Sequence, residues 1–471
     1  MAEPPGSSTA AVSQDCLVES TVSVSVFVAG QHMIQPRRPW LDGAASLMRG
    51  SMGAGGKDAE ARRWRHNGDI RRVLFVVDMW AVDGYKLSVL NQMRHLPPCF
   101  RTEALDLTCE GARMDFKVAL DRAGFPLTRM CVKLPQQVWD AAADRGRDMG
   151  QHLHAELHEA PAWAHLAGTA VAEGLGPLRE HLRGSDVMVM SNGAHGGDGY
   201  LLELARLAGV PSRIVNLGAL AHMSARYTGA TLFAAPSHFM SHDAQVLRHL
   251  AGREVVVCHP MMDWAGASGD VSGGYDGDSL GDAAAAASAD DVATVVFVGR
   301  LVTVKTPDVF VRAMAILAGR RPLLARPVRG VAIGAGPFLA GMEALAAELG
   351  ADVTFTGYLP SEQVARELRG ATALAFPSFG SETFGMVAPE AMLLGVPVVT
   401  FGFGGSMELV RHMENGLVAR EPTPIALADE LERLVQDPGL RNELGARAKA
   451  DAGRVCSQSS LVRCHADLYD R

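Results

Sequence analysis

The chain has 471 residues, of which 48% are hydrophobic and 20% charged, and its formal net charge is -8. This composition is ordinary for a globular protein, and the length predicts two domains that are each large enough for a hydrophobic core. Basic residues form no concentrated patch, which argues against a nucleic-acid partner.

Cysteine content and hydropathy indicate the compartment. The seven cysteines include no Cys-x-x-Cys pair, and an odd number cannot pair completely within one chain, so we expect reduced thiols. No apolar run approaches the ~18–20 residues of a membrane span. The apolar stretch 21–30 also lacks the basic flank of a signal peptide. We therefore predict a soluble cytoplasmic protein without an integral membrane segment, and association with a membrane surface stays open.

The N-terminal part of the chain changes character at residue 69. Residues 1–68 mix Pro, Gly and Ser without periodicity, which predicts a disordered extension. "RRVLFVVDMW" (71–80) is a continuous apolar run, typical of a strand that is buried on both faces of a parallel sheet. Helix-like stretches such as 199–209 separate it from similar runs at 185–192, 211–218, 229–237 and 253–260. This alternation predicts a first Rossmann-like domain over residues 69–262.

A low-complexity segment divides the chain. Residues 263–292 include "GASGDVSGGYDGDSLGDAAAAASADD", which has six aspartates and no Lys or Arg and predicts a flexible acidic insertion. The strand–helix alternation then restarts and predicts a second Rossmann-like domain over 293–440, followed by a helical segment, 441–471. Its predicted strands lie at 293–300, 328–336, 351–359, 371–378 and 396–402, and a helix at 307–319 opens with a proline.

Strands that alternate with helices in both halves predict an α/β fold of two doubly wound parallel-sheet domains that face a cleft. Ligands of such sheets bind beyond the carboxyl ends of the strands. Functional residues are therefore expected directly after the predicted strands.

Two glutamates flank a Phe-Gly turn after one of these strands. Pro389 fits only the first turn of a helix, which predicts a helix start between Met386 and Pro389. Glu382 then precedes the helix and Glu390 lies near its start, while the backbone N–H groups of 383–386 form a candidate phosphate site. Alternatively, both glutamates only complement the helix N-terminus. The spacing alone does not separate these hypotheses.

Two other predicted strands also end in residues that suit a phosphate ligand. Arg300 and Lys305 follow the strand 293–300, where two cations would suit a diphosphate. Gly334 and Gly336 form a turn at which backbone could approach a ligand closely. Each signal is weak alone, but their convergence on one sheet edge favours a binding site.

The second half resembles the group-1 retaining glycosyltransferases (family 4 type), which have the GT-B double-Rossmann fold. The likeness covers roughly residues 293–420, in the family's order and spacing. It rests on "FVGRLVTVKTPDVFVRAM", "IGAGP", "VTFTGYLP", "FPSFGSETFGMVAPEAMLLGVPVV" and "NGLV". The two glutamates resemble the family's E-x7-E signature.

The resemblance implies a role for each matching residue. Arg300 and Lys305 would contact the nucleotide diphosphate, Glu382 the donor sugar and Glu390 the ribose. The donor-binding set would be completed by Gly84, Gly334, Gly336, Tyr358, Leu359, Thr383, Phe384, Gly385 and Met386. It also implies that the segment 441–471 crosses back to the first domain.

The first half resembles the family less closely. Gly84 follows Asp83 where the family has a paired glycine after its first strand. His195, in the loop after 185–192, is a candidate active-site histidine, and a solvent-exposed loop residue is the alternative. The pairs His154/His158 and His238/His242 have a helical spacing that metal ligands also use. We interpret them as solvated and predict no metal site.

The resemblance implies a retaining, metal-independent, hexosyltransferase-like enzyme that moves a sugar from a nucleotide diphosphate sugar to an acceptor hydroxyl. The acceptor would be a glycan, a lipid-linked molecule or a small molecule, and no cofactor is expected beyond the nucleotide sugar co-substrate. GDP-mannose and UDP-linked sugars fit the residues equally. The alternatives are a non-catalytic nucleotide-sugar-binding or scaffold protein of the same fold, or another GT-B enzyme such as a phosphorylase or epimerase.

Overall fold

The computed structural model describes ten stretches of the chain, separated by gaps. They are residues 70–77, 84–107, 115–130, 176–191, 198–218, 229–242, 253–262, 292–320, 323–380 and 382–471. The predicted extension 1–68, the predicted acidic insertion up to residue 291, and His195 lie outside these residues.

The first sheet is formed by seven parallel strands of the described stretches. They are Arg71–Val77 (β1), Phe100–Asp106 (β2), Leu127–Arg129 (β3), Val187–Ser191 (β4), Ser212–Asn216 (β5), Leu232–Ala235 (β6) and Val255–Val257 (β7). Their order across the sheet is β3-β2-β1-β4-β5-β6-β7. The five apolar runs of the sequence are all strands, and β2 and β3 are additional.

The second sheet is formed by six further parallel strands of the described stretches. They are Ala293–Val298 (β8), Val328–Ile333 (β9), Val353–Gly357 (β10), Ala373–Phe376 (β11), Val398–Thr400 (β12) and Gly416–Val418 (β13). Their order is β10-β9-β8-β11-β12-β13. The five predicted strands of this half are confirmed, and β13 is additional.

Helices connect the strands and cover the sheets. In the described stretches they are Gly84–His95 (α1), Asp115–Ala123 (α2), Gly176–Arg183 (α3), Asp198–Ala208 (α4), His238–His242 (α5), Pro307–Gly319 (α6), Leu339–Leu349 (α7), Ser361–Arg369 (α8), Val387–Leu393 (α9), Ser406–Leu409 (α10), Pro424–Gln436 (α11), Pro438–Val455 (α12) and Gln458–Asp470 (α13). Helix α6 has the predicted bounds and begins at Pro307. None of the helices described is long and apolar enough to cross a membrane.

Burial explains why the central strands are apolar on both faces. Residues 73–77 of β1 are all buried, and so are residues 293–297 of β8, because hydrophobic clusters lie on both sides of each sheet. In each sheet the strand order reverses at one point, between β1 and β4 and between β8 and β11. This confirms the predicted α/β fold of two doubly wound parallel sheets. The domain bounds 69–262 and 293–440 stay predictions.

The last helix, α13, packs on the first sheet although it follows the second in the chain. The ring of Tyr469 is fully buried and lies edge-on to Phe75 of β1, with ring centroids 5.9 Å apart. Cys464 on this helix forms a disulfide with Cys258, directly after β7. The expectation of reduced thiols is therefore wrong for this pair. The two cysteines are 206 residues apart in sequence and meet only because α13 packs on the first sheet. A local sequence motif therefore could not predict this disulfide.

Candidate functional site

Two glycines allow close packing between loops at the carboxyl edge of the second sheet. Gly334 has a φ of 136°, and a Cβ atom there would lie 2.0 Å from the carbonyl oxygen of Gly299. A Cβ atom at Gly336 would lie 2.4 Å from the carbonyl oxygen of Leu301. Only glycine allows such close backbone contact. The turn after β9 therefore packs directly on the loop after β8.

The loop after β8 is also tied to the loop after β11. The 3-10 turn Thr303–Lys305 ends at Thr306, whose left-handed backbone has a φ of 44°. The hydroxyl of Thr306 donates a 2.7 Å hydrogen bond to the carbonyl of Pro377, and the N–H of Phe379 donates one to the carbonyl of Val304 (3.1 Å). These bonds fix how the two loops lie beside each other.

Lys305 and Glu382, two predicted site residues, meet at this junction. The ammonium group of Lys305 forms a hydrogen-bonded ion pair with the carboxylate of Glu382, and the two side chains are 21% and 11% exposed. The Lys305 Nζ atom also lies 5.5 Å from the ring centroid of Phe376, within the range of a cation–π contact. The structure thus places a cation and a carboxylate side by side between β8 and β11, where the strand order of the sheet reverses. We call this reversal the switch point of the sheet.

Other predicted residues lie further out. Arg300 is exposed and forms no ion pair within the described residues. Tyr358, after β10, is 72% exposed, whereas Leu359 beside it is half-buried. Gly84 is the first residue of α1, in the first half of the chain.

The loop 382–386 is shaped by glycines on both sides. Gly385 has a φ of 84°, and a Cβ atom at Gly404 would lie 2.1 Å from the carbonyl oxygen of Glu382. That carbonyl accepts a 2.8 Å hydrogen bond from the N–H of Gly405. Within the described part of the chain, the N–H groups of residues 383–386 donate no hydrogen bond. Thr383 and Met386 are half-buried and Phe384 and Gly385 are buried, so these four N–H groups lie at or just below the surface without an acceptor among the described residues.

Helix α9 begins at Val387, within the predicted interval, and presents Glu390 in its first turn. The Glu390 side chain is half-buried and no hydrogen bond or ion pair reaches its carboxyl group from the residues described. Desolvation of this carboxyl group raises the pKa of Glu390 to about 7. A group with this pKa changes charge near neutral pH, so a hydroxyl ligand that hydrogen-bonds to the carboxylate would favour the ionised form.

Two residues of the first sheet that the sequence did not single out contact the same loop. The hydroxyl of Ser237, after β6, donates a 2.6 Å hydrogen bond to the carbonyl of Thr383. The ring of His259, after β7, stacks on Phe384 with centroids 4.9 Å apart. Their position after apolar runs was the signal that could have found them, since ligand-side residues of such sheets follow the strands.

The His238/His242 pair shows no sign of a metal site. The Nδ1 atom of His242 lies 2.9 Å from the carbonyl oxygen of His238, so the spacing reflects a local helical contact. No group of three or more His, Cys, Asp or Glu residues in the described stretches could hold a metal ion.

Comparison with known proteins identifies the second half. The family described as "Glycosyl transferases group 1" matches residues 282–451. D-inositol 3-phosphate glycosyltransferases of Nocardioides sp. and Streptomyces griseus are 37% and 40% identical over 196 and 188 residues. These matches cover 39% and 38% of this chain, and the chain spans 42% and 39% of those relatives' length.

Solved structures match nearly the whole fold. Anabaena Alr3699/HepE in complex with UDP and glucose has a TM-score of 0.59 at 18% identity, over 84% of this chain and 99% of that one. A mutant of S. aureus TarM in complex with Fondaparinux, alpha-GlcNAc-glycerol and UDP also has a TM-score of 0.59, at 10% identity, over 85% of this chain and 100% of that one. At these identities the likeness establishes the fold. Residues 282–451 thus match the group-1 glycosyltransferase family that the sequence resembles, and the chain has the two-sheet GT-B fold.

Proposed function

We propose that the protein is a retaining, metal-independent glycosyltransferase that moves a sugar from a nucleotide diphosphate sugar to an acceptor hydroxyl. The observation that carries the proposal is the Lys305–Glu382 ion pair at the switch point of the second sheet, beside the loop 382–386. Doubly wound sheets bind their ligands at this position.

The diphosphate of the donor is assigned to the cations and the N–H groups of this edge. Lys305 would contact the phosphate as a point charge, and Arg300, whose guanidinium is exposed, would bind it in a bidentate manner. The N–H groups of Thr383, Phe384, Gly385 and Met386 would donate hydrogen bonds to the remaining phosphate oxygens. Together they would stabilise the negative charge that develops on the leaving diphosphate.

The two glutamates are assigned to hydroxyl groups on either side of the diphosphate. Glu382 would accept hydrogen bonds from hydroxyls of the donor sugar, with Lys305 holding its carboxylate in place. Glu390 would accept from the ribose, in a half-buried site where no residue of the described chain competes for its oxygens. Gly334 and Gly336 would let the backbone approach the donor, with Tyr358 and Leu359 near the base.

The proposed reaction is a front-face substitution. The bond between the anomeric carbon and the phosphate oxygen breaks, and its electron pair leaves with the nucleotide diphosphate. The acceptor oxygen bonds to the same face of the anomeric carbon, and its proton passes to the leaving phosphate oxygen. Lys305, Arg300 and the loop N–H groups supply the charge stabilisation that a divalent cation would otherwise provide.

The comparisons suggest which substrates to test first. The two structural neighbours named above are complexes with UDP, and the relatives are named for transfer to D-inositol 3-phosphate. We therefore propose UDP sugars as the first donors to test, ahead of GDP-mannose. Inositol phosphates are the first acceptors, followed by glycan and lipid-linked acceptors.

The test is a transfer assay on the full chain, with release of nucleotide diphosphate and the anomeric configuration of the product as readouts. We expect a product with the donor's configuration, formed equally well with a metal chelator present. Lys305→Ala should abolish transfer, whereas Lys117→Ala, which removes an exposed lysine paired with Asp121 on α2, should not. Nucleotide binding without any transfer would favour a non-catalytic binding protein instead.

A further inference from the structure

We propose that Glu408 is a positioning residue that fixes the donor loop 382–386 against the first sheet through two backbone hydrogen bonds. The inference rests on the proposed function, because the loop matters for catalysis only if it binds the donor. Glu408 does not belong to the E-x7-E pair and lies on the short helix α10, in the second half of the chain. Its proposed role follows from its contacts with α5, in the first half.

The carboxylate of Glu408 contacts the beginning of helix α5. The N–H of His238 donates to its Oε2 atom at 3.0 Å, and the N–H of Phe239 donates to its Oε1 atom at 2.6 Å. The first N–H groups of a helix have no partner inside the helix, so a carboxylate from elsewhere can satisfy them. Each oxygen of Glu408 thus binds one donor of the first half of the chain.

Helix α10 is in turn packed against the donor loop, backbone to backbone. The N–H of Gly405, directly before α10, donates to the carbonyl of Glu382 at 2.8 Å. A Cβ atom at Gly405 would lie 2.4 Å from the carbonyl oxygen of Thr383, so no space separates the two segments. A displacement of Glu408 would therefore be passed on to Glu382 and Thr383.

Two further contacts converge on the same loop and together with Glu408 form what we call the α5 seam. They are the hydrogen bond from Ser237 to Thr383 and the stacking of His259 on Phe384. Ser237 also accepts a 3.2 Å hydrogen bond from the N–H of Met240 and is fully buried, so its hydroxyl is held in one orientation. Three successive loop residues, 382–384, are thus fixed from the first sheet or through α10.

Positioning at this seam would affect the chemical step more than nucleotide binding. The proposed cationic contacts of the diphosphate, Arg300 and Lys305, lie in the loop after β8 and not in the loop 382–386 that the seam fixes. The donor sugar is assigned to Glu382, which the seam holds in place, and a misplacement of its reacting carbon by about 1 Å can reduce the rate about 100-fold. Loss of the seam should therefore lower kcat and leave the nucleotide Kd nearly unchanged.

The chemistry of the contact makes one substitution diagnostic. In Glu408→Gln only the amide oxygen can accept, and the amide NH2 group would face the second backbone N–H. Glu408→Gln should therefore behave like Glu408→Ala, although it preserves the side chain's size. If Glu408 served only to fill space, Glu408→Gln would behave like the wild type.

The experiment compares wild type, Glu408→Gln, Glu408→Ala and Ser237→Ala, with Glu414→Gln as a control whose exposed carboxylate pairs with Arg411. We expect kcat to fall about 100-fold in both Glu408 variants and several-fold in Ser237→Ala. The nucleotide Kd should stay within about threefold of wild type. A wild-type kcat in Glu408→Gln, or a Kd that weakens in parallel with kcat, would overturn the proposal.

Hydrogen exchange on the same variants gives a readout that does not need activity. Glu408→Gln should accelerate exchange at the amides of His238 and Phe239, which donate to the carboxylate, and at Gly405 across the seam. Unchanged exchange at these positions would overturn the seam even in an active enzyme. If the wild type binds no nucleotide and transfers no sugar, the proposed function fails, and hydrogen exchange still decides whether Glu408 holds the seam.

Discussion

Each sheet carries an ion pair at the carboxyl ends of its strands, and the two differ in where they lie. Arg129 and Asp106 are the last residues of β3 and β2, with Nε and Oδ2 2.8 Å apart, at the margin of the first sheet. Lys305 and Glu382 follow β8 and β11, neighbouring strands at which the order of the second sheet reverses. Only the second pair lies where doubly wound sheets bind ligands. Both ion pairs contain a cation and a carboxylate, so charge alone does not distinguish them. Their position relative to the switch point identifies Lys305–Glu382 as the candidate site and Arg129–Asp106 as a structural contact.

The largest expected effect comes from removing the cation of the second pair. Lys305→Ala should reduce kcat/KM at least 1000-fold, because the leaving diphosphate loses charge stabilisation worth several kcal/mol. Its melting temperature should stay within a few degrees of wild type, since the Lys305 side chain remains partly exposed. Steady-state kinetics and thermal unfolding measure both. Near-wild-type turnover in Lys305→Ala would contradict the site assignment.

The next effect concerns the disulfide that ties α13 to the first sheet. Cys464→Ser should lower the free energy of unfolding by about 2–4 kcal/mol, because the bond constrains the unfolded chain. Cys456→Ser is the matched control, since Cys456 is a free, buried cysteine near the same end of the chain. Denaturant unfolding with and without reductant gives the comparison. A reductant should weaken the wild type and leave Cys464→Ser unchanged, while equal responses would exclude the bond in solution.

Loss of the Arg129–Asp106 ion pair, at the edge of the first sheet, should lower stability and leave transfer activity nearly unchanged, the opposite of the effect of Lys305→Ala. Arg129→Ala removes the guanidinium from a carboxylate that is fully buried, which should cost about 2 kcal/mol of stability. Transfer activity should stay within about threefold of wild type, because the pair lies away from the switch point. The same kinetic and unfolding measurements apply. A large loss of transfer without destabilisation would remove the distinction between the two ion pairs.

The smallest expected effect is a pH-dependent change in melting temperature when Glu390 is replaced. Unlike Glu382 and Asp106, Glu390 has no ion-pair partner among the described residues. Its pKa is raised to about 7 in the folded protein, so the folded state holds the proton more tightly than the unfolded state. Below pH ~4.5 both states are protonated, and the cost of burying the ionised form grows as the pH rises to ~7. Glu390→Gln should therefore leave the melting temperature unchanged at pH 4 and raise it by about 2–4 °C at pH 8.

A pH series of thermal unfolding checks this sign. Glu180→Gln is the control, because Glu180 is an exposed carboxylate paired with Arg183 and should shift little at any pH. A stabilisation by Glu390→Gln that is larger at pH 4 than at pH 8 would contradict the assigned cause.

The sequence predicted those strands and site residues whose signal is local. Continuous apolar runs identified the central strands, because burial on both faces leaves no polar position. Strand β2 was missed because Arg101 and Glu103 interrupt its apolar pattern beside the edge of the sheet. Strands β3 and β13 were missed because each has three residues and lacks the longer apolar run that surrounds β7 and β12, which are equally short. The helix start before Glu390 was predicted because Pro389 restricts the backbone at its own position and at the preceding residue.

Features that depend on distant segments could not be predicted. Lys305 and Glu382 were each singled out, but their direct contact depends on β8 and β11 being neighbours. Glu408 satisfies N–H groups 169 and 170 residues away, and no spacing rule links them. The disulfide between Cys258 and Cys464 could not be predicted for the same reason, because its cysteines meet only when α13 packs on the first sheet.

Calorimetric titration shows directly whether the carboxyl edge of the second sheet binds a nucleotide diphosphate. UDP, GDP and ADP would be titrated into the wild type, Lys305→Ala, Glu390→Ala and the control Lys117→Ala. We expect the wild type and Lys117→Ala to bind one of these nucleotides with the same Kd. Both site variants should bind it at least tenfold more weakly. Absence of binding by the wild type, or equal affinity in all four proteins, would show that this edge is not the nucleotide site.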